Sequence, residues 1–261
     1  MKRTKTVIDL AAFPMEYHDL LRGAEVYDSS CSPEARVYFI DRDGGYYLKS
    51  APKGSLRREV DLTRYFHQKG LATEILSYCS DTRDWMLSRR VNGEDCTHRT
   101  YLEDSKRLCD TIATKLRALH ETDFSDCPIQ NHTEHYLAVA KKNREAGQFD
   151  LSYASDYFGN VTAEQVWDFL QQNGHLLQND TLLHGDYCLP NIMLDNWRFS
   201  GFIDLGNGGV GDRHVDLFWG AWTLRFNLGT DAYRERFFDA YGRDRIDQVR
   251  LAIVAAAEVF G

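Results

Sequence analysis

His184-Gly185-Asp186-Tyr187-Cys188-Leu189-Pro190-Asn191, followed thirteen residues later by Asp204 in the run Phe202-Ile203-Asp204-Leu205-Gly206, is the stretch that decides the fold. Residues 192–194 and 199–203 read as short strands flanking a turn at Asp195-Asn196. The chain therefore leaves a loop, turns back, and returns a carboxylate close to where it departed. Taken singly, these residues are ordinary: a loop Asp, a turn Asn, an Asp capping a helix. Taken together they have the layout of a protein-kinase catalytic loop and its metal-binding aspartate. Phosphoryl transfer needs an acceptor hydroxyl held in line and the phosphate charge neutralised. Asp186 is read as the catalytic base, with Asn191 and Asp204 as hard oxygen ligands for magnesium and ATP as the donor.

The residues before this stretch fit the same reading. Residues 35–41 and 46–49 are strand-like and are separated by the turn signal Asp43-Gly44-Gly45. Residues 56–69 have helical spacing, and residues 75–78 and 85–88 form two more short strands. Lys49 ends a strand, and Glu59 lies ten residues on in the predicted helix, beside Leu56, Thr63 and Phe66. A carboxylate near an inward face is costly without a partner, so a Lys49–Glu59 ion pair is expected. The loop 29–33 (SSCSP) offers hydroxyls and backbone N–H groups to phosphates. No Walker A sequence occurs, which disfavours a P-loop enzyme.

From residue 94 on the pattern is mostly helical. Residues 101–119 trace one long amphipathic helix, residues 131–178 read as short helices around a loop, and residues 248–260 form a closing helix. The fold class expected is α+β, bilobal and protein-kinase-like. Residues 1–91 would form a small β-rich nucleotide-binding lobe, residues 88–93 a hinge, and residues 94–261 a larger, mainly helical catalytic lobe.

Bulk composition is consistent with this and closes other routes. Hydrophobic residues make up 43% of the 261 and charged residues 27%, as in an ordinary globular protein. The basic start of the chain lacks the apolar run of a signal peptide, so a cytoplasmic location is expected. The six cysteines are scattered without a C-x-x-C pair, which argues against a zinc site or a disulfide framework. The formal charge of −8 is uneven: residues 1–93 carry 15 Lys and Arg against 13 Asp and Glu, and residues 94–261 carry 16 against 26. That acidic second part disfavours nucleic acid and suits a cationic small molecule. Neither a membrane nor an obligate protein partner is indicated.

At HGDYCLPNIMLDNWRFSGFIDLG the chain resembles the aminoglycoside 3′-phosphotransferases, bacterial antibiotic-resistance kinases. The likeness continues in GVGDRHVDL, in LRALHETDFSDCP and in the strand ending YLK. The resemblance implies phosphorylation of a hydroxyl, the 3′-OH, on an aminoglycoside. It implies that Asp186 is the base, that Asn191 and Asp204 bind magnesium, and that Lys49 meets the α/β-phosphates with Glu59 as its partner. Tyr47 would stack on adenine, the backbone near Ser88 would read the base edge, and Ser32 would lie in the phosphate loop. Asp150, Asp156 and Glu258 are the expected substrate contacts. The chain departs from the family pattern on that side: Asn207 replaces an Arg, Phe226 stands where an acid is expected, and Ala257 precedes Glu258. A kinase of another small alcohol or sugar is the alternative reading, and a non-catalytic nucleotide-binding regulator a third.

Overall fold

The computed structural model describes residues 3–31, 33 and 35–261. The strands are β1 (Thr4–Lys5), β2 (Glu25–Asp28), β3 (Arg36–Asp41), β4 (Tyr46–Pro52), β5 (Ile75–Ser80), β6 (Arg83–Arg89), β7 (Glu94–Asp95), β8 (Thr181–Leu183), β9 (Ile192–Asp195), β10 (Arg198–Phe202) and β11 (Gly209–Gly211). The helices are α1 (His18–Leu21), α2 (Arg57–Gln68), α3 (Arg99–Leu102), α4 (Ser105–His120), α5 (His132–Glu145), α6 (Ser155–Phe158), α7 (Ala163–Asn173), α8 (His214–Leu228), α9 (Arg234–Tyr241) and α10 (Gln248–Glu258). Among the described residues no helix is long and apolar enough to cross a membrane. All six cysteines are free thiols.

The packing divides the chain into two compact units, Met1–Asp95 with Met193–Gly206, and Cys96–Ile192 with Asn207–Gly261. The sequence division left residues 193–206 in the second lobe. They pack with the first because β9 pairs with β7 and Phe202 N–H donates to the Leu71 carbonyl at 2.8 Å.

In the first unit six strands run in the order β1-β2-β3-β4-β6-β5. Registers pair Phe39 with Tyr47, Tyr47 with Ser88, and Lys49 with both Val37 and Met86. Strand alternation therefore puts these residues on one face. That face also carries Ala51 and Met86, which pack with Leu56, just before α2, and with Val60 of α2. The opposite face holds Ile40, Leu48 and Leu87 against Phe13, Tyr17 and Leu21 from the chain's start.

Helix α2 begins at Arg57 without a capping side chain of its own. Asp84 on β6 supplies the acceptors from outside. Its Oδ1 takes the Gly54 N–H at 2.8 Å and its Oδ2 the Leu56 N–H at 2.9 Å. The Ser80 and Tyr78 hydroxyls add two more bonds. These four donors outweigh burial and hold the Asp84 carboxyl below its usual range.

The second unit is built on α4, whose Leu108, Ile112, Leu116 and Leu119 are fully buried at helical spacing. It packs against α8, α9 and β8, while α10 packs against α7 and α8. Strand β8 pairs antiparallel with β11, and the loop containing Asp186 leaves directly from β8.

Some expectations need correction. Residues 131–178 contain two full helices, of 14 and 11 residues, instead of only short ones. The longer, α5, buries only His132, Thr133 and Ala140, so its sequence shows no apolar stripe. The β9–β10 turn sits one residue later than read, with Asn196 and Trp197 both at positive φ. The long helix read over 101–119 is split, α3 giving way to α4 where Asp104 caps the Arg107 N–H.

Asp84→Ala would leave the start of α2 without acceptors. A loss of about 3 kcal/mol is expected, read as a lower Tm by circular dichroism; an unchanged Tm would show that Asp84 does not hold the helix.

Candidate active site

In the first unit, Lys49 Nζ on β4 contacts both carboxylate oxygens of Glu59 on α2, at 2.9 and 2.8 Å. The ion pair expected from sequence is present. Nζ also lies 3.0 Å from Asp204 Oδ1. Burial alone would lower the Lys49 pKa, but two carboxylates around the ammonium raise it, so it stays charged. Burial, with the Asp204 charge, pushes the Glu59 carboxyl up, while the Lys49 ammonium pulls it down. Contact of Nζ with both oxygens is the geometry of a carboxylate.

Asp204 takes φ +55°, an uncommon conformation for a residue with a side chain. Asp tolerates it better than most, and such strain gathers at functional positions. The neighbouring Gly206 carbonyl accepts from Arg58 Nε at 2.9 Å, which ties the segment to α2. The Asp204 side chain remains 55% exposed.

Tyr47 and Ser88 lie on the same sheet face as Lys49. The Tyr47 ring packs against Phe39, and its hydroxyl accepts from Arg3 at 2.8 Å. The Arg3 guanidinium rests 3.6 Å from the centre of the Phe39 ring. Ser88 is buried on β6. Ser32 lies outside the described residues.

In the second unit the stretch His184–Asn191 is fixed by a buried carboxylate that sequence reasoning passed over. Asp216 on α8 accepts the His184 N–H and the Gly185 N–H, each at 2.8 Å. Its Oδ2 also lies 3.2 Å from His120 Nε2, and His120 Nδ1 lies 2.9 Å from the Tyr241 hydroxyl. Burial lowers the His120 pKa, favouring neutral imidazole. Burial opposes ionisation of Asp216, but the His120 hydrogen bond and the His184 amide outweigh it and lower its pKa. The partners then assign Nε2–H as donor to Asp216 and Nδ1 as acceptor from Tyr241. The signal for Asp216 was within GVGDRHVDL, yet no local spacing says which acid there reaches the loop.

Gly185 has φ +84°, and a Cβ there would lie 1.9 Å from the Asn207 carbonyl oxygen. Only glycine fits. One residue on, Asp186 is held by Asn191, whose Nδ2 donates to Asp186 Oδ2 at 2.8 Å and to the Asp186 carbonyl at 3.0 Å. With the amide nitrogen so engaged, Asn191 Oδ1 is left as an acceptor, the atom a hard cation would take.

The expected substrate contacts fall into three different settings. Glu258 on α10 is buried, and its Oε1 accepts from the Tyr136 hydroxyl at 2.8 Å and from Trp219 Nε1 at 2.9 Å. Burial pushes its carboxyl up to about 7, against the pull of those two donors. The nearby Asp186 charge adds to the rise. Asp156 is clamped by the guanidinium groups of Arg225 and Arg234, so its charge is already answered within the fold. Asp150 accepts the Ser152 N–H at 2.9 Å and caps the turn Leu151–Tyr153.

Comparison with known proteins bears on this arrangement. Residues 31–252 match the model of the phosphotransferase enzyme family. A probable aminoglycoside 3′-phosphotransferase of Lactococcus lactis subsp. lactis (strain IL1403) is 54% identical over 256 residues, covering 97% of each chain. The chain belongs to the aminoglycoside 3′-phosphotransferase family. The family's enzyme from Niallia circulans is 31% identical over 77% of this chain and 78% of its own. Among solved structures, an aminoglycoside 3′-phosphotransferase of type VIII superposes with a TM-score of 0.73 at 23% identity, over 95% of this chain and all of its own. An aminoglycoside phosphotransferase from Streptomyces rimosus, solved with ADP and streptomycin, gives 0.71 at 23% identity, over 98% and 100%. The kinase-like fold expected from sequence is therefore present, and the chain is an O-phosphotransferase.

Two outcomes test the site's geometry. Asp216→Asn keeps the shape but faces two backbone N–H donors with a weaker, half-donor group. Turnover should fall by about 10²-fold through loop misplacement, with nucleotide affinity unchanged; undiminished turnover would remove Asp216 from its positioning role. Glu258 has a folded pKa above its ordinary value near 4.5, so its contribution is most favourable at acid pH and is lost as pH rises through about 7. The Tm advantage of Glu258→Gln over wild type should accordingly grow between pH 5 and pH 8. A gap independent of pH would contradict the raised carboxyl.

Proposed function

We propose that this protein transfers the γ-phosphoryl group of ATP to the 3′-hydroxyl of an aminoglycoside, and so confers resistance to it. The observation that carries the reading is the held pair Asp186–Asn191 on a glycine-dependent loop of the second unit, together with the hairpin of the first unit that delivers Asp204 to Lys49. The names of the curated relatives support the acceptor class.

In this reading Asp186 accepts the proton of the attacking hydroxyl. Its carboxylate is oriented by Asn191 Nδ2, which keeps one oxygen engaged and aims the other. Lys49, kept charged by Glu59, neutralises the α/β-phosphates. Tyr47 stacks on adenine on the same sheet face, with the backbone near Ser88 at the base edge and Ser32 in the phosphate loop. Asn191 Oδ1 and the exposed Asp204 carboxylate suit magnesium, a hard cation that, when bound, would offset phosphate charge. Glu258 supplies the counter-charge for an ammonium group of the acceptor. Asp150 lies on the same turn as Tyr153, and Asp156 acts through the arginines it binds.

Asp186→Asn should cut turnover by about 10²–10⁴-fold while ATP still binds, measured by a coupled ADP assay and by nucleotide titration. Wild-type-like turnover would remove Asp186 as the base. Lys49→Met should raise the KM for ATP and lower the Tm, since Glu59 is then left buried without its partner. For the acceptor, ADP release is measured with a 3′-hydroxylated aminoglycoside, its 3′-deoxy counterpart, and unrelated sugar alcohols. Stimulation by the first alone is expected. Stimulation only by the sugar alcohols would transfer the protein to another substrate class.

A further inference from the structure

Helix α8 carries Trp219, Trp222 and Phe226 at spacings of three and four residues, so they share one side of the helix. The Trp222 and Phe226 rings lie 4.9 Å apart and nearly parallel, at 12°. Trp219 stands 5.3 Å from Trp222 at a steep angle. Tyr153, from the turn Leu151–Tyr153, faces them from across the chain, 5.8 Å from Trp219 and 6.1 Å from Trp222. The row runs outward from partly buried rings to Phe226, which is 70% exposed. A lone exposed Phe is unremarkable, but a stacked row that continues into open solvent is a surface patch in want of an occupant.

Its inner end joins the catalytic residues of the same unit. Trp219 Nε1 is bonded to Glu258, whose carboxyl feels the charge of Asp186. The Tyr153 hydroxyl, besides being partly buried, feels the charges of Glu258 and Asp150. The segment bearing Tyr153 holds Asp150 and Asp156, the acids that the family resemblance implies as substrate contacts. Here Asp156 is neutralised by Arg225 and Arg234, and Phe226 occupies the position where a further acid is expected.

We propose that the acceptor is bound against this aromatic shelf, through Tyr153, Trp222 and Phe226, with Trp219 aligning Glu258 toward it. The occupant is a hydroxylated saturated ring bearing an ammonium group. The C–H faces of such a ring pack flat on Trp222 and Phe226, its ammonium is attracted by the ring faces, and Glu258 supplies the formal counter-charge. Rings thus share with a single carboxylate the work of holding the acceptor. This rests on the phosphotransfer reading above, but it makes a separate claim about which residues recognise the acceptor.

The test uses the full chain and two readouts. In steady-state assays with a 3′-hydroxylated aminoglycoside, Phe226→Ala should raise the acceptor KM by about tenfold and leave the KM for ATP unaltered. Phe226→Tyr, which keeps the ring, should restore it. Because Phe226 is exposed, its loss should not lower the Tm, which separates recognition from folding. Independently of turnover, the Asp186→Asn variant is titrated with the same aminoglycoside while tryptophan fluorescence is followed. A change that disappears with Trp222→Phe places the acceptor on the shelf. An acceptor KM unmoved by Phe226→Ala, or a titration without a Trp222-dependent signal, overturns the shelf even if aminoglycosides are phosphorylated. If none is phosphorylated, the same titration with the amino sugar glucosamine decides: a Trp222-dependent signal upholds the shelf while the aminoglycoside reading falls, and its absence ends both.

Discussion

A single buried carboxylate sets the position of the loop on which the proposed chemistry depends. Asp216 receives two consecutive backbone N–H groups and an imidazole, so the start of the His184–Asn191 loop cannot shift without stranding an ionised group inside the protein. His120 and Tyr241 complete the chain of bonds outward, each group assigned one donor or acceptor role. Gly185 then turns the backbone through a conformation closed to other residues, and Asp186 follows at the loop's tip. The same construction recurs in the first unit. There Asp84 gathers four donors and starts the helix that delivers Glu59 to Lys49. In both places a buried carboxylate outside the proposed chemistry anchors the backbone of residues to which that chemistry is assigned.

Much of this was legible from the chain because the decisive signals are local or short in range. The spacing from Asp186 to Asn191 is fixed by one loop, and the Asp204 return by one hairpin. The Lys49–Glu59 pair needs only one strand, a turn and one helical turn, although β4 runs on past Lys49 to Pro52 and Lys49 does not end it as read. What stayed hidden required long-range partners. Asp84 and Asp216 sit among other acids with nothing local to mark them, and each acts on segments some thirty residues away in sequence. Helix α5 was underestimated because it lies on the surface with three buried side chains, too few to stamp a period on its sequence. The hairpin's membership in the first unit follows from its pairing to β7, a contact about a hundred residues distant in sequence.

On the acceptor side, the sequence marked departures without saying what replaced the missing acids. Asp156 could be counted as a charge but not as a charge already taken by Arg225 and Arg234, which come from α8 and the start of α9. Glu258 could be counted as an acid near the chain's end but not as one enclosed by Tyr136 and Trp219, with a carboxyl poised near neutrality. Composition reports how many charges a unit carries. Only packing reports how many of them a ligand can meet.

The exposure of Phe226 has an evolutionary consequence. The loop around Asp186 is largely buried, glycine-dependent and held by several hydrogen bonds, so most changes there damage folding and function together. Position 226 makes few demands on the fold, and a single substitution there can be sampled by a population at little cost to folding. Under a shifting succession of antibiotics, a lineage can retune which molecule it inactivates at its rim while the phosphoryl-transfer machinery is inherited intact.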